Sequence, residues 1–127
     1  MATVQAAYKG LLSRPASIQG RVDACIMGIT MRVSVVVVNW NVKELLQSCL
    51  ASVLRESLSF LAGSVEIIVV DNASSDGSAE MVREQFPQAR LLANAENRGF
   101  SAACNQAISG CTGDVVLLLN PDAELLP

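Results

Sequence analysis

Polar residues in this sequence collect at the ends of apolar runs. Val33–Val38 gives way to Asn39-Trp40-Asn41, and Glu66-Ile67-Ile68-Val69-Val70 to Asp71-Asn72. A short run at Arg90–Ala93 leads into Asn94-Ala95-Glu96-Asn97-Arg98-Gly99, and Asp114–Leu119 ends at Asn120-Pro121-Asp122. These residue types share a chemistry. An indole stacks on a flat heterocycle, a carboxylate accepts an N–H, and an arginine pairs with phosphate. A lone Asp on a turn can hold a divalent ion, since Mg²⁺ takes one or two carboxylates together with phosphate oxygens.

Other chemistries are argued against by what the sequence lacks. It has no His, and Cys25, Cys49, Cys104 and Cys111 show no CxxC spacing, which argues against a zinc site and against a Ser-His or Cys-His mechanism. Asn-Trp-Asn follows the first apolar run where a dinucleotide fold needs G-x-G-x-x-G, and no phosphate-binding G-x-x-x-x-G-K-[ST] occurs. Net charge is −3 without a cluster of Lys or Arg, which argues against nucleic acid as a partner. With 51% hydrophobic and 17% charged residues the chain suits one globular domain. Its apolar runs fall short of the ~18 residues of a membrane span. Cys49 and Cys104 lie on apolar helix faces and read as small core residues in a reducing, cytoplasmic compartment.

The elements that carry the polar ends alternate regularly. Val42, Leu45, Leu46, Cys49, Leu50, Val53 and Leu54 repeat at helical spacing after the first strand, with Asn41 as expected N-cap and Glu44 completing a capping box. A return loop over Ser57–Ser64 leads to the second strand, whose unbroken aliphatic run suits a strand buried on both faces. A second helix is predicted over Ser78–Phe86, with Ala79, Val82 and Phe86 inward and Pro87 stopping it. The third presents Phe100, Ala103, Cys104, Ala107 and Ile108 and is closed by Gly110 or Gly113. The result is βαβαβαβ, an α/β fold with a parallel sheet whose strand C-termini share one ligand-binding edge. Residues 1–31 read as a disordered leader, or one misassigned by an upstream start, because Met31 stands just before the first strand.

Four motifs then fall in order: Val-Ser-Val-Val-Val-Val-Asn-Trp-Asn, Glu-Ile-Ile-Val-Val-Asp-Asn-Ala-Ser-Ser-Asp-Gly-Ser, Asn-Arg-Gly-Phe-Ser-Ala-Ala-Cys-Asn and Leu-Leu-Asn-Pro-Asp. From Arg32 to Pro127 the chain resembles the family-two glycosyltransferases, in particular the rhamnosyltransferase-like branch. The resemblance implies the nucleotide-sugar-binding half of a GT-A, Rossmann-like fold over residues 32–127. It implies inverting transfer from a UDP- or dTDP-sugar, dTDP-rhamnose among them, to a glycan or lipid-linked glycan of the cell surface. Peripheral attachment of the full-length enzyme to the inner face of the membrane would follow.

By the same resemblance Asp71 would accept the N3–H of a uracil or thymine, with Asn39, Trp40, Asn41 and Asn72 around the base. Arg98 and Gly99 would lie near the diphosphate, Asn105 belongs to their motif, and Asn120 precedes Asp122, the residue implied to bind Mg²⁺ or Mn²⁺. Plain alternatives stand beside these: Trp40 as a strand-end core residue, Asn105 as a brace, and Asp76 as a charge at a helix start. Asn120-Pro121-Asp122 departs from the family's Asp-x-Asp and leaves one carboxylate for the ion. Glu124 is not expected to join it, on a tail with no structure to aim it. The catalytic base is not assigned. Because the family's acceptor half follows this region, the 127-residue chain alone is not expected to transfer sugar. The competing reading is a non-catalytic nucleotide-binding module.

Overall fold

The structure, a computed structural model, describes residues 4–8, 31–59 and 65–126. Its elements are β1 (Val4–Tyr8), β2 (Val33–Asn39), α1 (Lys43–Ser59), β3 (Val65–Asp71), α2 (Ser78–Gln85), β4 (Arg90–Ala93), α3 (Phe100–Ser109) and β5 (Val115–Leu119). The sheet order is β1-β5-β2-β3-β4, and β5, β2, β3 and β4 run parallel, as the sequence predicts.

Alternation along the strands sends successive side chains to opposite faces. Val35, Val37, Ile67 and Val69 meet Leu46, Cys49, Leu50 and Val53 of α1 and Met81 and Val82 of α2. Val36, Ile68, Val70 and Val116 meet Ala103 and Ala107 of α3 on the other face. Each large aliphatic side chain buried this way stabilises the fold by about 1.5–3 kcal/mol. The chain therefore steps from β2 to β3 to β4 with its helices on one face. It then crosses back over the other face through α3 to place β5 on the far side of β2. The direction reverses between β2 and β5, which is where open α/β sheets bind ligands.

Three local expectations are revised. Leu45 and Phe100, predicted inward, are 48% and 55% exposed: Leu45 lies at the rim of the α1 stripe, and Phe100 is the first residue of α3. Met81, not assigned to the α2 face, is buried where Ala79 is only half-buried. The leader expected over residues 1–31 includes a strand: β1 pairs antiparallel with β5, Val4 opposite Leu119 and Tyr8 opposite Val115. Residues 9–30, and the rest of that expectation, lie outside the described residues. Among the described residues no helix is long and apolar enough to cross a membrane.

The end of the sheet away from the polar loops is closed by a side-chain latch. Glu66 Oε2 accepts from Ser34 Oγ at 2.6 Å and from the Thr112 N–H at 2.9 Å. Ser34 Oγ in turn accepts the Gly113 N–H at 2.9 Å. Burial pushes the Glu66 carboxyl up. The bonds from Ser34 and Thr112 and the charge of Arg90 outweigh it and hold the group below its ordinary value.

Candidate functional site

At the opposite edge, β2 and β3 end in register at Asn39 and Asp71, both buried. Asn39 Nδ2 donates to Asp71 Oδ1 at 2.9 Å and to Ser74 Oγ at 3.2 Å. Asp71 Oδ2 accepts the Ser74 N–H at 3.0 Å, a side-chain-to-backbone bond that bends the chain out of β3. Because the carboxylate can only accept, it fixes the Asn39 amide with nitrogen inward, which leaves Asn39 Oδ1 buried without a partner. Both Asp71 oxygens are thus engaged inside the protein, and the residue is 2% exposed. Within the turn Ala73 takes φ 62, a left-handed conformation that costs a non-glycine residue about 1–3 kcal/mol.

Trp40, the residue after β2, is 56% exposed at this edge, so it is no core residue. Asn41 does not cap α1. It adopts φ 52, its N–H donates to Ser74 Oγ at 2.9 Å, and its Oδ1 accepts the Ser75 N–H at 2.8 Å. The capping box with Glu44 is absent because α1 starts at Lys43, whose N–H goes to Asp76 Oδ2 at 2.8 Å. Asp76 Oδ1 also accepts the Ser78 N–H at 3.0 Å, the first residue of α2. One carboxylate therefore sits at the positive ends of two helices and ties them together, a helix-start charge as expected, but serving both.

Burial pushes the Asp76 carboxyl up, and the hydrogen bonds from Ser78 and Lys43 outweigh it and hold the group below its ordinary 3.8. A carboxyl so lowered stabilises the fold above its unfolded value, and that contribution disappears as pH falls through the folded one. Asp76→Asn is accordingly expected to be less stable than wild type at pH 7, with the difference shrinking below about pH 4. Urea denaturation from pH 3 to 7 measures it. A difference constant across that range would remove the charge from the explanation.

The loop after β4 is tied to β3 by carboxamides. Asn72, 2% exposed, donates from Nδ2 to the Gly99 carbonyl at 3.2 Å. Its Oδ1 accepts Asn94 Nδ2 at 3.0 Å and the Arg98 N–H at 3.4 Å. Gly99 has φ 81, which suits glycine, and carries the chain into α3. Arg98 is exposed, as is Asn105 on α3, one position before Gln106.

Asp122 is exposed on the turn after β5. The segment that follows is not the unaimed tail expected from the sequence. Ala123 is buried in the α1 core, and its N–H donates to the Asn120 carbonyl at 2.9 Å. Ser52 Oγ of α1 accepts the Leu125 N–H at 3.0 Å, and Arg55 Nη2 donates to the Leu125 carbonyl at 3.3 Å. Cys49 Sγ donates to the Asn120 carbonyl at 3.6 Å. Burial, with the charges of Glu124 and Asp122, pushes that thiol up to about 12, so it stays protonated. Cys49 and Cys104 are buried free thiols, in line with a core role, and Cys111 is buried as well.

Among the described residues no group of three or more His, Cys, Asp or Glu could cage a metal. The exposed Asp122 fits another kind of ion, one held mainly by phosphate and water with a single protein carboxylate. The strand ends thus bring Asn39, Trp40, Asn41, Asp71 and Asn72 together, with Arg98–Gly99 fastened to Asn72 and Asn120–Asp122 beside β2. Ser74 and Gln106 also belong to this edge and carry no reading from the sequence, while Asp76 and Asn94, expected as a helix-start charge and as part of a polar loop, join it through their side chains. The signals were thin: a Ser three residues after a strand-end Asp, and one amide on an otherwise apolar helix face.

The fold has counterparts among known proteins. The family model described as Glycosyl transferase family 2 matches residues 34–127. The chain is 30% identical over 93 residues to glycosyltransferase GlyA of Streptococcus pneumoniae, covering 72% of this chain and 13% of that protein. It is 31% identical over 74 residues to the N-acetylglucosaminyl-diphospho-decaprenol L-rhamnosyltransferase of Mycobacterium tuberculosis, covering 50% and 24%. The mannosyltransferase PcManGT of Pyrobaculum calidifontis, solved with GDP-Man and Mn²⁺, superposes with a TM-score of 0.64 at 30% identity. That match covers 76% of this chain and 29% of PcManGT. The chain spans less than a third of the length of each of these proteins. It has the GT-A fold expected from its motifs, and it belongs to glycosyl transferase family 2.

Proposed function

We infer that residues 32–127 supply the donor site of an inverting transferase that takes its sugar from UDP or dTDP, dTDP-rhamnose included. The acceptor is a glycan or lipid-linked glycan hydroxyl. The observation that carries this reading is an exposed indole at the sheet edge where the chain reverses direction, beside the ends of β2, β3 and β5. The similarity to a rhamnosyltransferase and to a mannosyltransferase holding GDP-Man and Mn²⁺ supports it.

In this reading Trp40 packs on the base, and Asn39, Asn41 and Asn72 form the surrounding wall. Asp71 lies at the floor. With both oxygens engaged, it acts mainly by holding Asn39 and the Ser74 turn in place, and a base N–H reaches it only along a lone pair those two leave. Arg98 and the Gly99 backbone face the diphosphate, with Asn105 alongside and Asn120 leading into the acidic turn. Asp122 would hold Mg²⁺ or Mn²⁺, which when bound neutralises charge on the leaving diphosphate. The acceptor oxygen forms its bond to the anomeric carbon as the bond from that carbon to the diphosphate oxygen breaks, and the hydroxyl proton passes to a base.

Trp40 is the single tryptophan of the chain, so its fluorescence reports on the site directly. Titrating UDP or dTDP in the presence of Mn²⁺ is expected to quench it saturably, while NAD is not. Asp122→Ala is expected to weaken the effect of Mn²⁺ on the titration. Emission unchanged by all nucleoside diphosphates would contradict the reading.

A further inference from the structure

The carboxamide contacts behind the 94–99 loop run on into α3. Asn94 Nδ2 donates to Asn72 Oδ1 and, at 3.0 Å, to Gln106 Oε1. Gln106 Nε2 returns a bond to Asn94 Oδ1 at 2.9 Å, so the two amides are paired in both directions. The direction of every dipole in this row is dictated by backbone. The Arg98 N–H can only donate and the Gly99 carbonyl can only accept, so Asn72 must turn oxygen to the first and nitrogen to the second. Asn94 must then point nitrogen at Asn72, and Gln106 must present oxygen to that nitrogen and nitrogen to its oxygen. Three side chains, two from just past β3 and β4 and one from α3, share one polarity, and none can flip without setting donor against donor or acceptor against acceptor. Gln106 is anchored between Ala103 and Ala107, both fully buried against the sheet.

We propose that Asn94 and Gln106 are positioning residues for the diphosphate-facing loop: their amide pair fixes Asn72, and Asn72 fixes the Arg98–Gly99 backbone. The proposal rests on the donor-site reading above. It explains why two half-buried amides stand behind an exposed loop that has little apolar packing of its own. The shape of the row is less important than its polarity. Isosteric replacement should therefore be damaging, which packing alone does not require. Asn94→Asp keeps the size of the side chain but puts oxygen against Asn72 Oδ1 and Gln106 Oε1. Gln106→Glu puts oxygen against Asn94 Oδ1. Exchanging the two residues, Asn94→Gln with Gln106→Asn, keeps the amide chemistry and the summed side-chain length.

The test reads two quantities on the full chain: the affinity for UDP with Mn²⁺, and hydrogen exchange at the Arg98 and Gly99 amides. Asn94→Asp is expected to weaken UDP by about tenfold or more and to speed exchange at Arg98 by a similar factor. Gln106→Glu should act in the same direction, and the exchanged pair should recover most of both losses. Wild-type UDP affinity and wild-type Arg98 exchange in Asn94→Asp would overturn the proposal. So would equal damage in the charged variants and the exchanged pair, because that pattern belongs to packing. If wild type itself binds no nucleoside diphosphate, the donor-site reading fails. The exchange rates then still decide whether the amide row holds the loop.

Discussion

Asp71→Ala is expected to lose about 2–4 kcal/mol of folding stability, and nucleotide affinity with it. The side chain accepts from Asn39 Nδ2 and from the Ser74 N–H, and its removal leaves one buried and one half-buried donor without that partner. An unpaired buried donor costs about 1–3 kcal/mol, and Asn39 keeps only the longer contact to Ser74 Oγ. The Ser74 turn would also lose what holds Ala73 at positive φ. Asp71→Asn separates charge from shape: its oxygen can still serve one donor, but its nitrogen then faces the other. Urea denaturation of the three proteins gives the ranking, wild type above Asp71→Asn above or level with Asp71→Ala. An alanine variant within about 0.5 kcal/mol of wild type would show that the carboxylate does not hold this corner, and that its place in the site is direct contact with the base.

Gly113→Ala is expected to be the other large effect, at the opposite end of the sheet. A Cβ there would come within 2.5 Å of Ser34 Oγ, 2.7 Å of the Ser34 backbone nitrogen and 3.0 Å of the Arg32 carbonyl. Two of those neighbours are backbone, so a rotamer change cannot make room, and the start of β2 must move away from Gly113. Overpacking of this kind costs about 1–3 kcal/mol, and here the Gly113 N–H bond to Ser34 Oγ is strained as well. The loss should appear as a lower denaturation midpoint with nucleotide affinity retained, since the polar edge lies at the other end of the same strands. A variant as stable as wild type would mean that the latch of Ser34, Glu66 and Thr112 yields easily.

These two residues illustrate what the sequence discloses and what it hides. The strands and helices are legible because their signals are local. Val33–Val38 and Ile67–Val70 are aliphatic without interruption, and Leu46, Cys49, Leu50 and Val53 recur at helical spacing. The order of polar strand ends is legible for the same reason, and parallel topology then gathers them on one edge. Partnerships across the fold are not. Asn41 has the residue type of an N-cap, but the position is served by Asp76 from a different loop. Asp71 has the residue type of a ligand acceptor, but its neighbours in space include Asn39, which lies 32 positions away. Gly113 resembles a helix terminator until Ser34 is seen against it. β1 carries too short and plain a pattern to announce a strand, and its pairing with β5 joins residues more than a hundred positions apart.

A nucleoside diphosphate is expected to bind along the C-terminal edge of the parallel strands. Chemical-shift mapping on the isotope-labelled chain, titrated with UDP in the presence of Mg²⁺, tests this most directly. The amides expected to move are those of Asn39 to Asn41, Asn72, Arg98, Gly99 and Asn120 to Asp122, while Ser34, Glu66, Thr112 and Gly113 at the far end stay still. Shifts confined to the Ser34–Glu66 end, or a spectrum unchanged at saturating nucleotide, would contradict it.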